Sequence, residues 1–121
     1  MNKSKAAVIA VIAVLAASAA YAAFYYLSPS NGAAGKYDSL TRCLTEKGAI
    51  MYGQEGCHAC LYQEELLGDS YKKINVVDCI SNMDVCRRQM IGATPTWVIN
   101  GATYVGVQTP EELANESGCT I

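Results

Sequence analysis

Positive charge is scarce in this chain: nine lysines and arginines stand against eleven aspartates and glutamates, a net charge of −2 over 121 residues. No basic stripe offsets that balance, so the electrostatic footprint of a nucleic-acid binder is missing and no nucleic-acid partner is expected. No internal repeat is present, which excludes a solenoid or array. Histidine occurs once, at position 58, and tryptophan once, at position 97. One reading of the cysteines is a tethered zinc-binding module using Cys57 and Cys60, with or without Cys79 and Cys86. Charge of either sign is absent altogether from residues 6–27.

As a helix, that uncharged stretch would extend about 33 Å, against about 30 Å for a bilayer's hydrocarbon core. The basic flank Met1-Asn2-Lys3-Ser4-Lys5 keeps the amino end cytoplasmic and exports the rest of the chain. Tyr21, Phe24, Tyr25 and Tyr26 gather at the outer end like an interfacial aromatic belt, which favours a retained anchor. Ala17-Ser18-Ala19 and Ala20-Tyr21-Ala22 also fit small-residue cleavage patterns, so a signal peptide is the rival reading. Either way the domain lies outside the cytoplasm, where six cysteines make sense as an oxidised set. A single-pass membrane protein with an extracytoplasmic domain is expected. Its parts are an anchor over 1–27, a flexible small-residue linker over 28–36 and a folded domain over 37–121. A domain of that size buries a modest core and leans on cross-links.

Residues 37–47 have helical spacing, with Leu40, Cys43 and Leu44 on one face, Asp38 or Ser39 as cap and Gly48 as stop. Residues 49–52 read as a buried strand and 57–67 as a helix ended by Gly68. Residues 74–77 then read as a strand parallel to the first, completing a βαβ unit. Ser81 or Asn82 opens a helix to about Met90. Asn100-Gly101 is a strong hairpin signal between strands at 96–99 and 103–107. Thr109-Pro110-Glu111-Glu112 is a capping box with proline at the first helical position, opening a last helix to Ser117. The order α-β-α-β-α-β-β-α predicts an α/β domain whose mixed sheet has helices on both faces.

The chemistry centres on Gly56-Cys57-His58-Ala59-Cys60. Two cysteines three apart, on the first turn of a helix that follows a strand, are placed to make and break a disulfide. A helix N-terminus carries partial positive charge and unpaired N–H groups, so the Cys57 pKa is expected below the free value of about 8.5. Cys57 is then the nucleophile and Cys60, one turn deeper, the resolving thiol. A protonated His58 would stabilise the thiolate further. The rival readings are half of a zinc site and a static cross-link. Adjacent to Cys57 on one turn, His58 cannot readily share a tetrahedral ion with both cysteines, and neither metal nor other cofactor is expected.

Element order pairs the remaining cysteines. Cys79 with Cys86 would close a short loop worth about 2–3 kcal/mol; Cys43 with Cys119 would join the first and last helices, worth about 4 kcal/mol. A relay in which Cys79 and Cys86 exchange with the active site is the alternative to a static cross-link. Trp97 is assigned to core or groove lining, Tyr52, Tyr62 and Tyr71 to packing, and Arg87 with Arg88 to a solvated face. Asn115-Glu116-Ser117 matches the glycosylation triplet but falls within a predicted helix.

A Cys-x-x-Cys opening a helix after a strand, a helical crossover and Thr94-Pro95-Thr96 ahead of a hairpin together resemble the thioredoxin superfamily. The resemblance implies that Pro95 follows a cis bond, faces the disulfide and, with Thr94, helps hold an extended substrate segment. Cys43-Leu44-Thr45-Glu46-Lys47-Gly48-Ala49-Ile50-Met51-Tyr52-Gly53, with Pro95-Thr96-Trp97 and Asn100-Gly101-x-x-Tyr104-x-Gly106, is similar to a narrower group. These are the thioredoxin-like domains fused to, or partnered with, vitamin K epoxide reductase homologues, and the likeness covers residues 37–119. It implies a DsbA-like role: oxidation of cysteine-containing exported proteins, with reoxidation by a membrane quinone reductase of the vitamin K epoxide reductase or DsbB type. Gly56 departs from the tryptophan common in relatives, His58-Ala59 from the Gly-Pro of thioredoxin and the Pro-His of DsbA, Thr94 from the tyrosine frequent in the nearest relatives, and Met51 from thioredoxin's buried aspartate. These departures bear on redox potential and substrate preference. A reductase or isomerase is the alternative direction.

Overall fold

The computed structural model describes residues 2–27 and 34–121, so most of the expected linker lies outside the described residues. The chain forms two units. The first is α1 (Lys3–Leu27), with no charged residue after Lys5, long and apolar enough to cross a membrane and exposed along its whole length. At its far end the Tyr21 and Tyr25 rings stack and Tyr26 meets Tyr25 edge-on.

The second unit carries a four-stranded mixed sheet in the order β2-β1-β3-β4. Here β1 is Ile50–Gly53, β2 Asn75–Asp78, β3 Thr96–Ile99 and β4 Ala102–Val105. β2 lies parallel to β1, with Met51 opposite Val76 and Gly53 opposite Asp78. β3 runs antiparallel to β1, and β4 antiparallel to β3. Neighbouring strand residues point to opposite faces, and Met51, Tyr52, Thr96 and Trp97 are all buried, so the two central strands are covered on both faces. Val76 on β2 and Val105 on β4 are exposed at the edges. The hairpin turn holds Asn100 at φ 51° and Gly101 at φ 78°, the pair of positive angles its tight connection requires. β4 starts one residue before the expected strand and stops at Val105, the following Gly106 taking φ 99°.

The helices are α2 (Asp38–Glu46), α3 (His58–Leu67), α4 (Met83–Arg88) and α5 (Pro110–Ser117). Four local expectations need correction. Neither Asp38 nor Ser39 caps α2; Tyr37 occupies that position without a side-chain cap. The Asp38 carboxylate instead accepts from the Gly35 N–H at 3.0 Å, from the Ser70 hydroxyl at 2.8 Å and from the Lys73 ammonium. Ser70 and Lys73 belong to a 3-10 segment, Gly68–Lys73, that sequence periodicity did not reveal. Asn82 precedes α4 but makes no capping bond; the Asp78 carboxylate turns the chain by accepting from the N–H groups of Ile80 at 2.7 Å and Ser81 at 3.1 Å. The helix ends at Arg88, and Met90 sits exposed at φ 55°. Tyr62 is exposed rather than packed, while Tyr52 is buried. At α5 the box closes in both directions, Thr109 Oγ1 accepting from the Glu112 N–H and the Glu112 carboxylate from the Thr109 N–H.

The core holds Leu40 and Leu44 of α2, Leu67 of α3, Met51, Trp97, Ile99 and Leu113. Several polar side chains are buried with it, Gln63 the largest of them. Gln63 of α3 accepts from the Trp97 indole N–H at 3.0 Å and the Gln108 N–H at 2.8 Å, and donates to the Gln108 carbonyl at 2.9 Å. It thereby joins α3, β3 and the approach to α5. Disulfides join Cys43 to Cys119, with Cα atoms 6.0 Å apart, and Cys79 to Cys86, 5.7 Å apart.

Replacing Gln63 with leucine strands the buried Trp97 indole N–H and two half-buried backbone groups of Gln108, and should cost about 2–4 kcal/mol. Urea unfolding will measure it, and a loss under about 0.5 kcal/mol would show that the hub contributes little. The Lys73 hydrogen bond, then those from Ser70 and Gly35, hold the Asp38 carboxyl below the usual carboxylate range. Its contribution is present above the unfolded value of about 4 and lost as pH falls through the lower folded value. Asp38→Asn should therefore flatten the acid limb of a stability–pH curve; an unchanged limb would remove Asp38 from that role.

Candidate active site

β1 delivers the chain to the site and Gly56 turns it. Gly56 takes φ 79°, yet a Cβ there would meet nothing within 4 Å. The requirement is therefore conformational, and a larger side chain would be strained rather than crowded. Cys57 follows in extended conformation as the N-cap of α3, one residue ahead of the first helical turn expected for it. Its Sγ accepts from the Cys60 N–H at 3.1 Å. Cys57 and Cys60 form a disulfide with Cα atoms 5.2 Å apart. Cys57 is half-buried, whereas Cys60 is 8% exposed. Gly53, at the end of β1, lies beneath them: a Cβ there would stand 3.5 Å from Cys60 Sγ, in ordinary contact, and 3.2 Å from the Met51 methyl.

The antiparallel register sets Thr96 beside Tyr52, which brings Thr94 and Pro95 to the same end of the sheet as Cys57. The Thr94–Pro95 peptide is cis and Pro95 is buried. The Pro95 carbonyl accepts from the Gly106 N–H at 2.8 Å, and the Thr96 hydroxyl donates to the Ala93 carbonyl at 2.7 Å, pinning this loop from both sides. The Thr94 hydroxyl donates to Cys57 Sγ at 3.4 Å, and the Thr94 carbonyl oxygen lies 3.6 Å from the same sulfur. His58 and Ala59 are exposed on the solvent side.

Two donors converge on Cys57 Sγ, at the positive end of a helix. Donors to an anionic form favour it, so after reduction the thiolate is stabilised at Cys57. Cys60 is buried in the same apolar cluster as Met51, a setting that disfavours a second thiolate. The arrangement can undergo thiol–disulfide exchange with an approachable first sulfur and a shielded second one. The Thr94 hydroxyl contact was not foreseen from sequence, which gave Thr94 only a role toward substrate. Gln63 and Gly53 were not singled out either; a lone glutamine among helical residues and a glycine ending a strand carry no distinctive pattern.

The Cys79–Cys86 disulfide is tied to the same strand, the Cys79 N–H donating to the Gly53 carbonyl at 2.8 Å. Cys86 is buried and Cys79 half-buried. Among the described residues, no three His, Cys, Asp or Glu side chains are grouped so as to hold a metal ion. On the β2 side of α3 an open cleft of about 340 Å³ reaches Cys57 and Cys60. Tyr71 lines it, its hydroxyl pushed above the ordinary tyrosine range by burial and, secondarily, by the Glu64 charge.

No protein-family model matches the chain. The thiol-disulfide oxidoreductase LTO1 of Arabidopsis thaliana is similar to it, 29% identical over 107 residues. That alignment takes in 80% of this chain and 28% of the plant protein, so the chain spans little more than a quarter of its relative's length.

Exchange of Cys60 for serine should trap mixed disulfides through Cys57, and exchange of Cys57 should trap few, because the remaining thiol is shielded. Non-reducing electrophoresis after acid quenching will compare the two; equal trapping would contradict the division between the sulfurs.

Proposed function

We propose that the chain is a membrane-anchored thiol–disulfide oxidoreductase of thioredoxin-like fold, facing away from the cytoplasm and oxidising cysteine-containing exported proteins. The observation that carries this reading is the Cys57–Cys60 disulfide at the start of α3, with a half-buried sulfur bonded by Thr94 and a buried one behind it. The activity for which the plant relative is named supports the same class of reaction, and the apolar length of α1 supports the anchor.

In the proposed cycle a substrate thiolate attacks Cys57 Sγ, the Cys57–Cys60 bond breaks, and its electron pair leaves on Cys60, which takes up a proton. A second substrate thiolate attacks the substrate sulfur of the mixed disulfide, and Cys57 departs as a thiolate. The substrate has lost two electrons and two protons. The Cys57–Cys60 pair returns to the disulfide by handing two electrons to a membrane quinone reductase of the vitamin K epoxide reductase or DsbB type. Pro95 and Thr94 hold the substrate strand against Cys57, His58 adds positive charge when protonated, and the Cys43–Cys119 and Cys79–Cys86 disulfides are static supports.

The direction follows from which state is stabilised. Two hydrogen bonds and the helix terminus favour the Cys57 thiolate, hence the reduced form, and the buried position of Met51 offers no carboxylate. Each 1.4 kcal/mol of such stabilisation raises a two-electron couple by about 30 mV. Equilibration of the full chain in glutathione buffers should give a potential near about −200 mV or higher. A value at or below about −270 mV, that of thioredoxin, would overturn the oxidising direction and favour a reductase.

A further inference from the structure

We infer that the cleft between α3 and β2 is a second substrate-binding groove, which takes an extended polypeptide segment carrying basic and apolar side chains next to its reactive cysteine. The inference deepens the proposed function and rests on it. Thr94 and Pro95 stand on one side of the disulfide; the cleft lies on another and ends at the same two sulfurs.

Its origin is a mismatch of widths. Gln63 draws α3 over β3 through the Trp97 indole, and Trp97 lies opposite Met51 in the ladder. The next strand outward is β2, where Val76 lies opposite Met51 and Asp78 opposite Gly53 on that same face. Val76 is 42% exposed, so α3 does not cover this strip of the sheet. The uncovered strip is walled by Leu61 and Glu64 on the helix and bounded by half-buried Tyr71.

Three features select the occupant. The floor and one wall, Val76, Leu61 and Tyr71, are apolar or aromatic. The acidic groups are Glu55, Glu64 and Asp78, and no lysine or arginine lines the cleft. A basic segment is the complement of that rim. Finally, β2 stands at the edge of the sheet, so its outward backbone groups have no neighbouring strand among the described residues. An extended chain can use such an edge, main-chain bonds giving affinity and alternate side chains giving selectivity.

The test uses oxidised full-length protein in detergent and three peptides of one sequence, differing only in lysine, serine or glutamate at the positions flanking a cysteine pair. At low salt, with excess oxidised glutathione accepting the electrons and reoxidising the pair, the lysine peptide should be oxidised with a kcat/KM about fivefold above the glutamate peptide, the difference residing in KM and shrinking as salt screens the rim. Glu64→Lys should abolish or reverse that preference, read as the ratio of the lysine to the glutamate peptide within each protein. Glu64 is the site of choice because it is exposed, whereas Asp78 also holds the turn after β2. Equal oxidation of all three peptides, or a preference untouched by Glu64→Lys, would overturn the groove and leave the oxidoreductase reading standing. Failure to oxidise any peptide would instead count against that reading. The groove is then decided by fluorescence binding of labelled peptides with serine in place of cysteine: the lysine form should bind more tightly and lose that advantage with Glu64→Lys, and equal binding of all forms would refute it.

Discussion

The site depends on one bond, from the Cys60 N–H to Cys57 Sγ. A helix begins with backbone donors that lack partners, and a side chain at the N-cap ordinarily supplies an oxygen for one of them. In α3 a sulfur takes that position. The atom that starts the helix and the atom proposed to react are therefore the same. Helix geometry then puts Cys60 one turn along, within disulfide reach, and the sheet registers bring Gly53 beneath it and Thr94 beside Cys57. Reduction changes the sulfur from a neutral acceptor into an anionic one while the donor stays in place, so the helix start is tightened in the state that holds the electrons.

Gln63 extends this dependence into the core. It sits three residues beyond Cys60 on the same helix, and its amide reaches both β3 and Gln108. A buried amide whose groups are partnered admits few alternative placements of the helix, whereas an apolar residue there would let α3 slide over the sheet. The orientation of the helix that carries the sulfurs is fixed from within the core.

Much of this was readable in the sequence where the signal is local. Asn100-Gly101, the Thr109-Pro110-Glu111-Glu112 box, Gly68 and the β-branched strands each express a backbone preference that neighbours do not override, and the corresponding elements formed within a residue or two. The misreadings share a different cause. Asp38 has the chemistry of a cap, yet partners far along the chain, Ser70 and Lys73, claim its carboxylate. Asn82 stands where a cap belongs, but Asp78 reaches the turn first. The cysteine pair announced itself by spacing. The Thr94 hydroxyl and Gln63 did not, because their partners lie 37 and 34 residues away and no local pattern encodes such a meeting.

The Cys43–Cys119 bond closes a covalent ring between α2 and the carboxyl end, with a sequence separation of 76. Tension applied at the two ends of the folded unit would run from residue 34 along α2 to Cys43, across the sulfur bridge to Cys119, and out at Ile121. The sheet, α3 and the Cys57–Cys60 pair all lie inside the ring and off that path. A pull on the two ends of the folded unit would thus bypass the Cys57–Cys60 pair and leave the geometry of those sulfurs unloaded.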